Sequence, residues 1–330
     1  METRARILVT GSAGHLGEAL MRHFATTGRP AIGLDRRPSP FTTARCPLAD
    51  RAGLRRVMEG VDTVFHTATL HKPHVATHSR QDFIDTNVTG TLNLLEEALA
   101  AGVRAIVFTS TTSVFGDALV PPQGAPAAWI TEDVVPVPKN IYGTTKAAAE
   151  DLCQLFHRNH GLACIVLRTS RFFPEPDDDA TTRAAFADDN AKLNEFLFRR
   201  VDIEDAVTAH LLAAERAPAL GFARYIISAT TPFRRADRAE LRADAPAALC
   251  RRVPGYAPEY ARRGWAMFPS LDRVYVNARA RRELGWRPRH DFAAILARLR
   301  GSPPARSRAR MAAKSWRGRQ PSSRRARALT

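Results

Sequence analysis

ILVTGSAGHLG, at residues 7–17, is the stretch of sequence that decides the fold. A short β-branched run leads directly into a turn with three glycines, Gly11, Gly14 and Gly17, and an apolar pattern at helical spacing follows over residues 15–27. Glycine tolerates positive φ angles and lets another group approach the backbone closely. A helix that begins at such a turn presents free N–H groups and the positive end of its dipole. The stretch therefore predicts an anion-binding turn between a buried strand and a helix.

The alternation of strand and helix continues through the first half of the chain. Short apolar runs typical of strands buried on both faces lie at residues 7–10, 31–34, 63–66, 105–108 and 164–167. Apolar residues at helical spacing lie near residues 15–27, 51–59, 82–101 and 142–159. This order predicts an α/β fold with a doubly wound parallel Rossmann sheet, whose ligands bind at the carboxyl ends of the strands.

The composition divides the chain into three parts. Residues 1–170 form the predicted Rossmann domain. Residues 171–300 form a small C-terminal substrate lobe that begins with an irregular stretch over 171–190, and Rossmann elements return near residues 201–229. Residues 301–330 are rich in Ser, Pro, Ala and Arg, so we expect a disordered basic tail there. No internal repeat is visible.

The net charge of +16 in 330 residues raises the question of a nucleic-acid partner. Nine of these charges fall in residues 301–330, which contain no acid, and the rest of the chain carries +7. The excess is almost entirely arginine, so we interpret it as a solvated arginine surface and expect no nucleic acid as a partner. The remaining modest positive charge suits an enzyme with anionic ligands.

Other protein classes are also disfavoured by the sequence. A hydrophobic share of 45% predicts a substantial core, and no apolar run approaches the roughly 18 residues that span a bilayer. The chain enters its first strand at Ile7, which leaves no room for a signal peptide, so we expect a cytoplasmic protein. The four cysteines show no C-x-x-C spacing, which argues against a zinc site and a disulfide framework. We therefore predict no metal.

An acidic residue favours the interpretation of the glycine turn as a dinucleotide site. Asp35 ends the second predicted strand, 18 residues after Gly17, where its carboxylate can accept from both hydroxyls of an adenosine ribose. A plain tight turn is the alternative, but strand, turn, helix and acid together favour a dinucleotide. Asp35 would repel a 2′-phosphate and favours NAD, whereas Arg36 and Arg37 leave NADP possible.

Two further motifs carry candidate catalytic groups. The strand at residues 105–110 ends in a hydroxyl cluster that includes Thr111 and Thr112. Tyr142 and Lys146 are four residues apart at the start of a helical pattern, which places them on one helix face. The ammonium can lower the pKa of the phenol toward a value useful for proton transfer. A surface pair is the alternative.

The glycine turn, the hydroxyl cluster, the Tyr142–Lys146 pair and the segment NVTGT at residues 87–91 together resemble an extended short-chain dehydrogenase/reductase. Over residues 5–300 the chain resembles the NAD-dependent epimerase/dehydratase family, of UDP-glucose 4-epimerase-like type. The resemblance implies that Tyr142 is the general acid/base and that Lys146 binds the nicotinamide ribose and lowers the tyrosine pKa. It implies that Thr111 hydrogen-bonds the reacting hydroxyl or carbonyl.

The resemblance also implies a set of cofactor contacts. They are Gly11, Ala13, Gly14, His15, Leu16, Gly17, Asp35, Arg36, His66, Thr67, Ala68, Asn87, Tyr142 and Lys146. For His66 and Asn87, a structural hydrogen bond is an equal alternative to cofactor contact. Related enzymes are commonly dimers through two helices per subunit, and the helices at 82–101 and 142–159 are the candidates for a homodimer here.

The substrate half departs from the family pattern. Thr112 and Ser113 stand where dehydratases carry an Asp-Glu pair, which argues against dehydration. Arg171 stands where a substrate-contacting Asn is usual, and either binds a phosphate or carboxylate or forms an ion pair with the acids at 177–179. In the family, two arginines clamp the pyrophosphate of a nucleotide sugar, and here those positions carry Phe198 and Met267. Arg199 and Arg200 lie beside Phe198, and Arg273 lies downstream of Met267. The predicted substrate contacts are Thr111, Thr112 and Arg171.

These features predict an oxidoreductase-type enzyme that moves a hydride between a secondary alcohol carbon and nicotinamide. We favour a sugar or nucleotide-sugar substrate, with 4-epimerisation by transient oxidation. A simple dehydrogenase/reductase of a non-nucleotide carbonyl compound is the alternative. A non-catalytic dinucleotide-sensing regulator is a third hypothesis, which the Tyr142–Lys146 pair disfavours.

Overall fold

A computed structural model describes residues 6–177 and 179–301 of the chain, so the predicted tail lies outside the described residues except for Gly301. The strands are β1 (Arg6–Thr10), β2 (Ala31–Asp35), β3 (Ala44–Arg45), β4 (Val61–His66), β5 (Ala105–Thr111), β6 (Ala128–Ile130), β7 (Ala163–Thr169), β8 (Phe222–Ile227) and β9 (Arg273–Tyr275). The helices are α1 (His15–Thr26), α2 (Arg51–Met58), α3 (Arg80–Phe83), α4 (Gly90–Ala100), α5 (Ile141–His160), α6 (Ala180–Ala185), α7 (Asp188–Glu195), α8 (Ile203–Leu220), α9 (Arg238–Ala243), α10 (Ala245–Arg252), α11 (Tyr256–Arg263), α12 (Ala278–Glu283) and α13 (Phe292–Arg300).

Seven strands form one sheet in the order β3-β2-β1-β4-β5-β7-β8, and every pairing between neighbours is parallel. The chain first proceeds from β1 toward β3 and then returns past β1 to β4 and the remaining strands. This reversal places a switch point between β1 and β4, where open α/β sheets bind their ligands. The predicted doubly wound Rossmann sheet is confirmed.

Helices cover both faces of the sheet, because successive strand residues point to opposite faces. Ile7 and Val9 of β1 pack in the core that contains Leu20 of α1 and Ala213 of α8. Leu8, between them, packs in the opposite core with residues of α2, α4 and α5. Each strand therefore contributes to two hydrophobic layers, which explains its nearly continuous apolar sequence.

The helices α9 to α11 and α13 pack in a third core beside the sheet. It combines leucines with several aromatic residues, including Phe198, Tyr260, Phe268 and Phe292. A two-stranded parallel sheet joins β6 to β9, so residues 128–130 and 273–275 meet although they are distant in sequence. The segment from α8 to β8 belongs to the main sheet and its helical cover.

The predicted helix over residues 82–101 differs from the structure. It consists of α3, a segment of wider π-helical turns over Ile84–Thr89, and α4. Wider turns inside a helix occur frequently at functional sites, and Asn87 lies within this one. The residues predicted as an irregular stretch over 171–190 include α6, whose first turn is capped by the Asp179 side chain. Strands β3, β6 and β9 were not predicted because two or three residues carry too little pattern.

Among the described residues, no helix is long and apolar enough to cross a membrane.

Candidate active site

A cleft of about 870 Å³ opens at the carboxyl ends of the strands, around the switch point between β1 and β4. We call it the main cleft. The predicted site residues that line it are Gly11, Gly14, His15, Leu16, Gly17, Asp35, Arg36, Thr67, Ala68, Thr111, Thr112, Tyr142 and Arg171. The predicted residues Ala13, His66, Asn87 and Lys146 are not among those that line the cleft. The fold thus brings the glycine turn, the hydroxyl cluster and Tyr142 to one site.

Close packing explains two glycines of the turn. Gly11 has a φ of +73°, and a Cβ there would lie 2.7 Å from the backbone nitrogen of Ala68. A Cβ on Gly17 would lie only 2.0 Å from the Gly11 carbonyl oxygen. The third glycine, Gly14, precedes the first turn of α1 and provides no side-chain cap. The start of α1 therefore offers its backbone N–H groups and dipole to an anion in the cleft.

Asp35 connects the end of β2 to the glycine turn. Its carboxylate accepts from the backbone N–H of Ala13 at 3.1 Å and from that of Arg37 at 2.8 Å. The Arg37 guanidinium donates in turn to the Ala13 carbonyl at 3.3 Å. A carboxylate at the end of the second strand and an uncapped helix start fit the ribose and the phosphates of a dinucleotide, respectively.

Helix α5 positions the tyrosine. Asn140 caps the helix by accepting from the Gly143 N–H at 2.9 Å, and a Cβ on Gly143 would lie 2.7 Å from the Ser113 carbonyl oxygen. This close approach places Tyr142 near Thr111 at the end of β5, and both residues line the main cleft. Burial raises the pKa of Tyr142 to about 12, and the Thr111 side chain opposes that rise.

Lys146 lies fully buried one helical turn after Tyr142. Its Nζ atom is 3.9 Å from the centre of the Phe108 ring, which is a cation–π distance. Burial lowers the pKa of Lys146 to about 7, and the nearby Glu150 carboxylate opposes this effect. The sequence predicts that Lys146 lowers the pKa of Tyr142, but in the structure burial dominates and the tyrosine pKa is raised.

The His66 side chain is buried and lies outside the set of residues that line the main cleft. Its two ring nitrogens contact the hydroxyl oxygens of Thr10 at 2.8 Å and of Thr91 at 3.0 Å. Burial, with the positive charge of Lys146, lowers the pKa of His66 to about 3, so the ring is neutral. The His66 side chain thus makes the structural hydrogen bonds that we considered as the alternative to cofactor contact.

The Asn87 side chain plays a similar supporting part. Its Oδ1 atom accepts from the Leu70 N–H at 2.8 Å and from the Thr69 hydroxyl at 3.0 Å. Its Nδ2 atom donates to the Leu70 carbonyl and to the Thr145 hydroxyl, both at 3.0 Å. Asn87 therefore ties the loop after β4 to α5 beside Lys146.

The substrate half contains arginines that the sequence analysis did not bring together. Arg199 and Arg273 both line the main cleft, and their guanidinium carbons lie 5.2 Å and 5.9 Å from the same Phe198 ring. Arg171 lies 3.8 Å from the carboxylates of both Asp177 and Glu195. The ion-pair alternative for Arg171 is thus present in the structure. Arg199 and Arg273 are far apart in sequence, so only the fold reveals that they converge.

Four aromatic side chains form one wall of the main cleft, which we call the aromatic wall. The His71 ring stacks on Phe173 with centres 5.3 Å apart, and the His15 ring stacks on Phe172 at 6.1 Å. The two phenylalanine rings contact each other at 4.5 Å. The sequence analysis identified only His15. The pair Phe172-Phe173 closely follows β7, and this position at a carboxyl strand end was the signal that could have identified it.

Known proteins resemble the chain over different lengths. A protein named sterol demethylase protein B, from Methylococcus capsulatus, is 38% identical over 152 residues, which cover 43% of this chain and 44% of that protein. A UDP-glucose 4-epimerase from Streptomyces lividans is 26% identical over 245 residues, or 64% of this chain and 72% of the relative. The match to the first relative thus spans less than half of its length.

Solved structures show the same fold. A short-chain dehydrogenase/reductase superfamily protein from Agrobacterium tumefaciens, crystallised with bound NAD, superposes with a TM-score of 0.64 at 22% identity, covering 89% of this chain and 95% of that one. A sequence model of the NAD dependent epimerase/dehydratase family matches residues 7–221. This range contains the glycine turn, Thr111 and the Tyr142–Lys146 pair, and the family resemblance noted from the sequence is confirmed. The chain belongs to the NAD dependent epimerase/dehydratase family.

Proposed function

We propose that this protein is an NAD-dependent enzyme that oxidises a secondary hydroxyl of its substrate, with Tyr142 as the general acid/base. One observation carries the proposal: Tyr142 and Thr111 line the same cleft as the glycine turn, and the Thr111 side chain lies close enough to the phenol to lower its pKa. Proton transfer requires the acid/base within hydrogen-bonding reach of the reacting group. A substrate hydroxyl placed between Tyr142 and Thr111 meets that requirement.

Each of the site residues has a separate role in the proposed reaction. Tyr142 takes the proton from the substrate hydroxyl, and Thr111 holds the same oxygen by a hydrogen bond. The Lys146 ammonium stabilises the phenolate, which is needed because burial raises the pKa of Tyr142 to about 12. The glycine turn binds the phosphates and Asp35 binds the adenosine ribose. NAD, when bound, supplies the redox chemistry.

The substrate we favour is a sugar or nucleotide sugar, converted by 4-epimerisation. The support is the convergence of Arg199 and Arg273 on Phe198 inside the cleft, because guanidinium groups are suited to phosphate and carboxylate. The Streptomyces relative, named as a UDP-glucose 4-epimerase, aligns over 64% of this chain. Arg171, Arg199 and Arg273 would then contact the anionic part of the substrate, and Thr111 and Thr112 its reacting end.

A second candidate is a simple dehydrogenase/reductase of a non-nucleotide compound. The aromatic wall supports this alternative because the faces of its two phenylalanine and two histidine rings provide a surface on which a hydrocarbon body can pack. The relative with 38% identity is named for sterol demethylation rather than for sugar chemistry. A regulator that only binds the dinucleotide remains the third hypothesis.

A substrate panel distinguishes these functions. The purified protein is incubated with NAD and a set of UDP-sugars, free sugars, uronic acids and sterols with a secondary hydroxyl, while NADH absorbance and product identity are followed. Epimerisation predicts interconversion of a UDP-sugar pair without net NADH. A dehydrogenase produces NADH in proportion to product, and cofactor binding with no turnover on any compound would favour the regulator. The homodimer and the cytoplasmic location remain predictions, testable by sedimentation and by cell fractionation.

A further inference from the structure

A cluster of buried charges lies behind the catalytic helix. Glu150 of α5 is 1% exposed and accepts a hydrogen bond of 2.5 Å from the Ser110 hydroxyl of β5. The Arg168 guanidinium of β7 donates to the same carboxylate, with Nη2 at 2.7 Å and Nε at 3.1 Å from its oxygens. Arg224 of β8 reaches it at 3.1 Å. Three adjacent strands thus converge on one carboxylate.

This cluster lies between two cavities. Ser110 lines the main cleft, whereas Glu150, Arg168 and Arg224 line a second cavity of about 470 Å³ on the other side of α5. Arg224 also pairs with Asp151 at 2.9 Å, and that carboxylate is 77% exposed. Arg224 therefore also pairs with a solvent-exposed carboxylate, whereas Glu150 and Arg168 are both buried.

Glu150 is also the nearest acid to Lys146 along the helix. The two residues are four positions apart on α5, so their side chains lie on the same face one turn apart. Across from Lys146 are the Phe108 ring of β5 and the neutral His66 of β4. Cys153, two turns along α5, is the other titratable group that acts on the ammonium.

We propose that Glu150, held by Ser110 and Arg168, is a positioning residue that keeps Lys146 charged in the acid–base site. This inference rests on the proposed function, in which the ammonium stabilises the Tyr142 phenolate. A buried ammonium loses its proton readily unless an opposite charge compensates for the lost hydration. The hydrogen bonds from β5 and β7 fix the carboxylate, so its charge acts from a constant place.

The composition of the chain permits a direct test that needs no substrate. Only five lysines occur in 330 residues, so protein labelled at the lysine ε-carbon gives few NMR signals, and the Lys146 signal is assigned from its loss in Lys146→Arg. We expect the Lys146 titration midpoint to fall by about one pH unit or more in Glu150→Gln, since an opposite charge at this range shifts a pKa by roughly 1–3 units. Asp151→Asn, which changes the neighbouring exposed carboxylate, is the matched control and should leave the midpoint in place.

Two further variants separate charge from structure. Glu150→Asp keeps the negative charge, so its Lys146 titration midpoint should lie close to that of the wild type. If Glu150 had only a structural role, the midpoint in Glu150→Asp would be lowered as in Glu150→Gln. If Glu150→Gln does not fold, the same substitution is made in an Arg168→Met background, which removes the buried counter-charge, and the Lys146 midpoint should lie below that of Arg168→Met alone. An unchanged midpoint in either folded protein would overturn the inference. Because the titration is independent of turnover, this result is distinct from a failure of the proposed function, which would appear as activity retained in Tyr142→Phe.

Discussion

Replacing Asn87 with alanine tests how the site is held together. The side chain is 2% exposed and takes part in four hydrogen bonds to Thr69, Leu70 and Thr145. The two threonine hydroxyls and the Leu70 carbonyl keep other partners in the variant, but the Leu70 N–H loses its acceptor. A buried donor without a partner costs about 1–3 kcal/mol, and each lost hydrogen bond contributes about 1 kcal/mol.

We therefore expect Asn87→Ala to lower the free energy of unfolding by about 2–4 kcal/mol, allowing for the bonds that re-form. Urea unfolding followed by circular dichroism measures this difference. NAD affinity should fall as well, because Thr69 and Leu70 line the main cleft.

Asn93→Ala is the matched control. Asn93 lies in the same helical run and makes one hydrogen bond, from its Nδ2 to the Leu48 carbonyl at 3.0 Å. The control should lose about 1 kcal/mol at most and should bind NAD normally. Equal destabilisation by the two variants would refute the view that Asn87 ties the loop after β4 to α5.

Three other outcomes follow from the geometry. Burial lowers the pKa of His210 to about 4, whereas a histidine in the unfolded chain takes up a proton below about pH 6.5. Acid therefore favours the unfolded chain, and between pH 7 and 5 the wild type should lose about 2 kcal/mol more unfolding free energy than His210→Gln. An equal pH dependence of the two proteins in urea titrations would contradict this. Gly17→Ala should abolish NAD binding in calorimetry because its Cβ would lie 2.0 Å from the Gly11 carbonyl. Gly28→Ala, whose Cβ would meet nothing within 4 Å, should lose some stability because its φ is +64° but should bind NAD normally. Arg273→Met should raise KM for an anionic substrate by roughly tenfold or more with a smaller effect on kcat, and an unchanged KM would remove this arginine from the substrate site.

The parts of the site that could be predicted from sequence are local. The strand, glycine turn and Asp35 fall within about 30 residues, as expected for one dinucleotide-binding βαβ unit. Tyr142 and Lys146 share one helix, so their spacing alone places them on one face. In each case the backbone geometry of a single motif fixes the relation between the residues.

The substrate half was harder because it is assembled from separate parts of the chain. Arg199 follows α7 and Arg273 lies in β9, and their segments meet where the Tyr275 N–H donates to the Phe198 carbonyl at 3.1 Å. His71 and Phe173 follow different strands and stack only because β4 and β7 end at the same edge of the sheet. No periodic pattern in one segment reports such contacts.

The electrostatics of the Tyr142–Lys146 pair also required the structure. The i,i+4 spacing predicted a lowered tyrosine pKa, but spacing does not report burial. The fold surrounds Tyr142 with Leu70, Phe83 and Ile141, and desolvation then outweighs the opposing effect of the Thr111 side chain on the tyrosine pKa. Glu150 was accessible from the same spacing rule, since it follows Lys146 by four residues, but its contacts with Ser110 and Arg168 were not.

Turnover by Tyr142→Phe is the most direct test of the central claim. The substitution removes only the phenolic hydroxyl, so the variant should fold and bind NAD with nearly unchanged affinity in calorimetry. With the substrate identified by the panel, kcat should fall by roughly 100-fold or more, the usual contribution of a general acid/base. A variant that binds NAD and retains wild-type turnover would contradict the assignment of Tyr142 as the group that moves the proton.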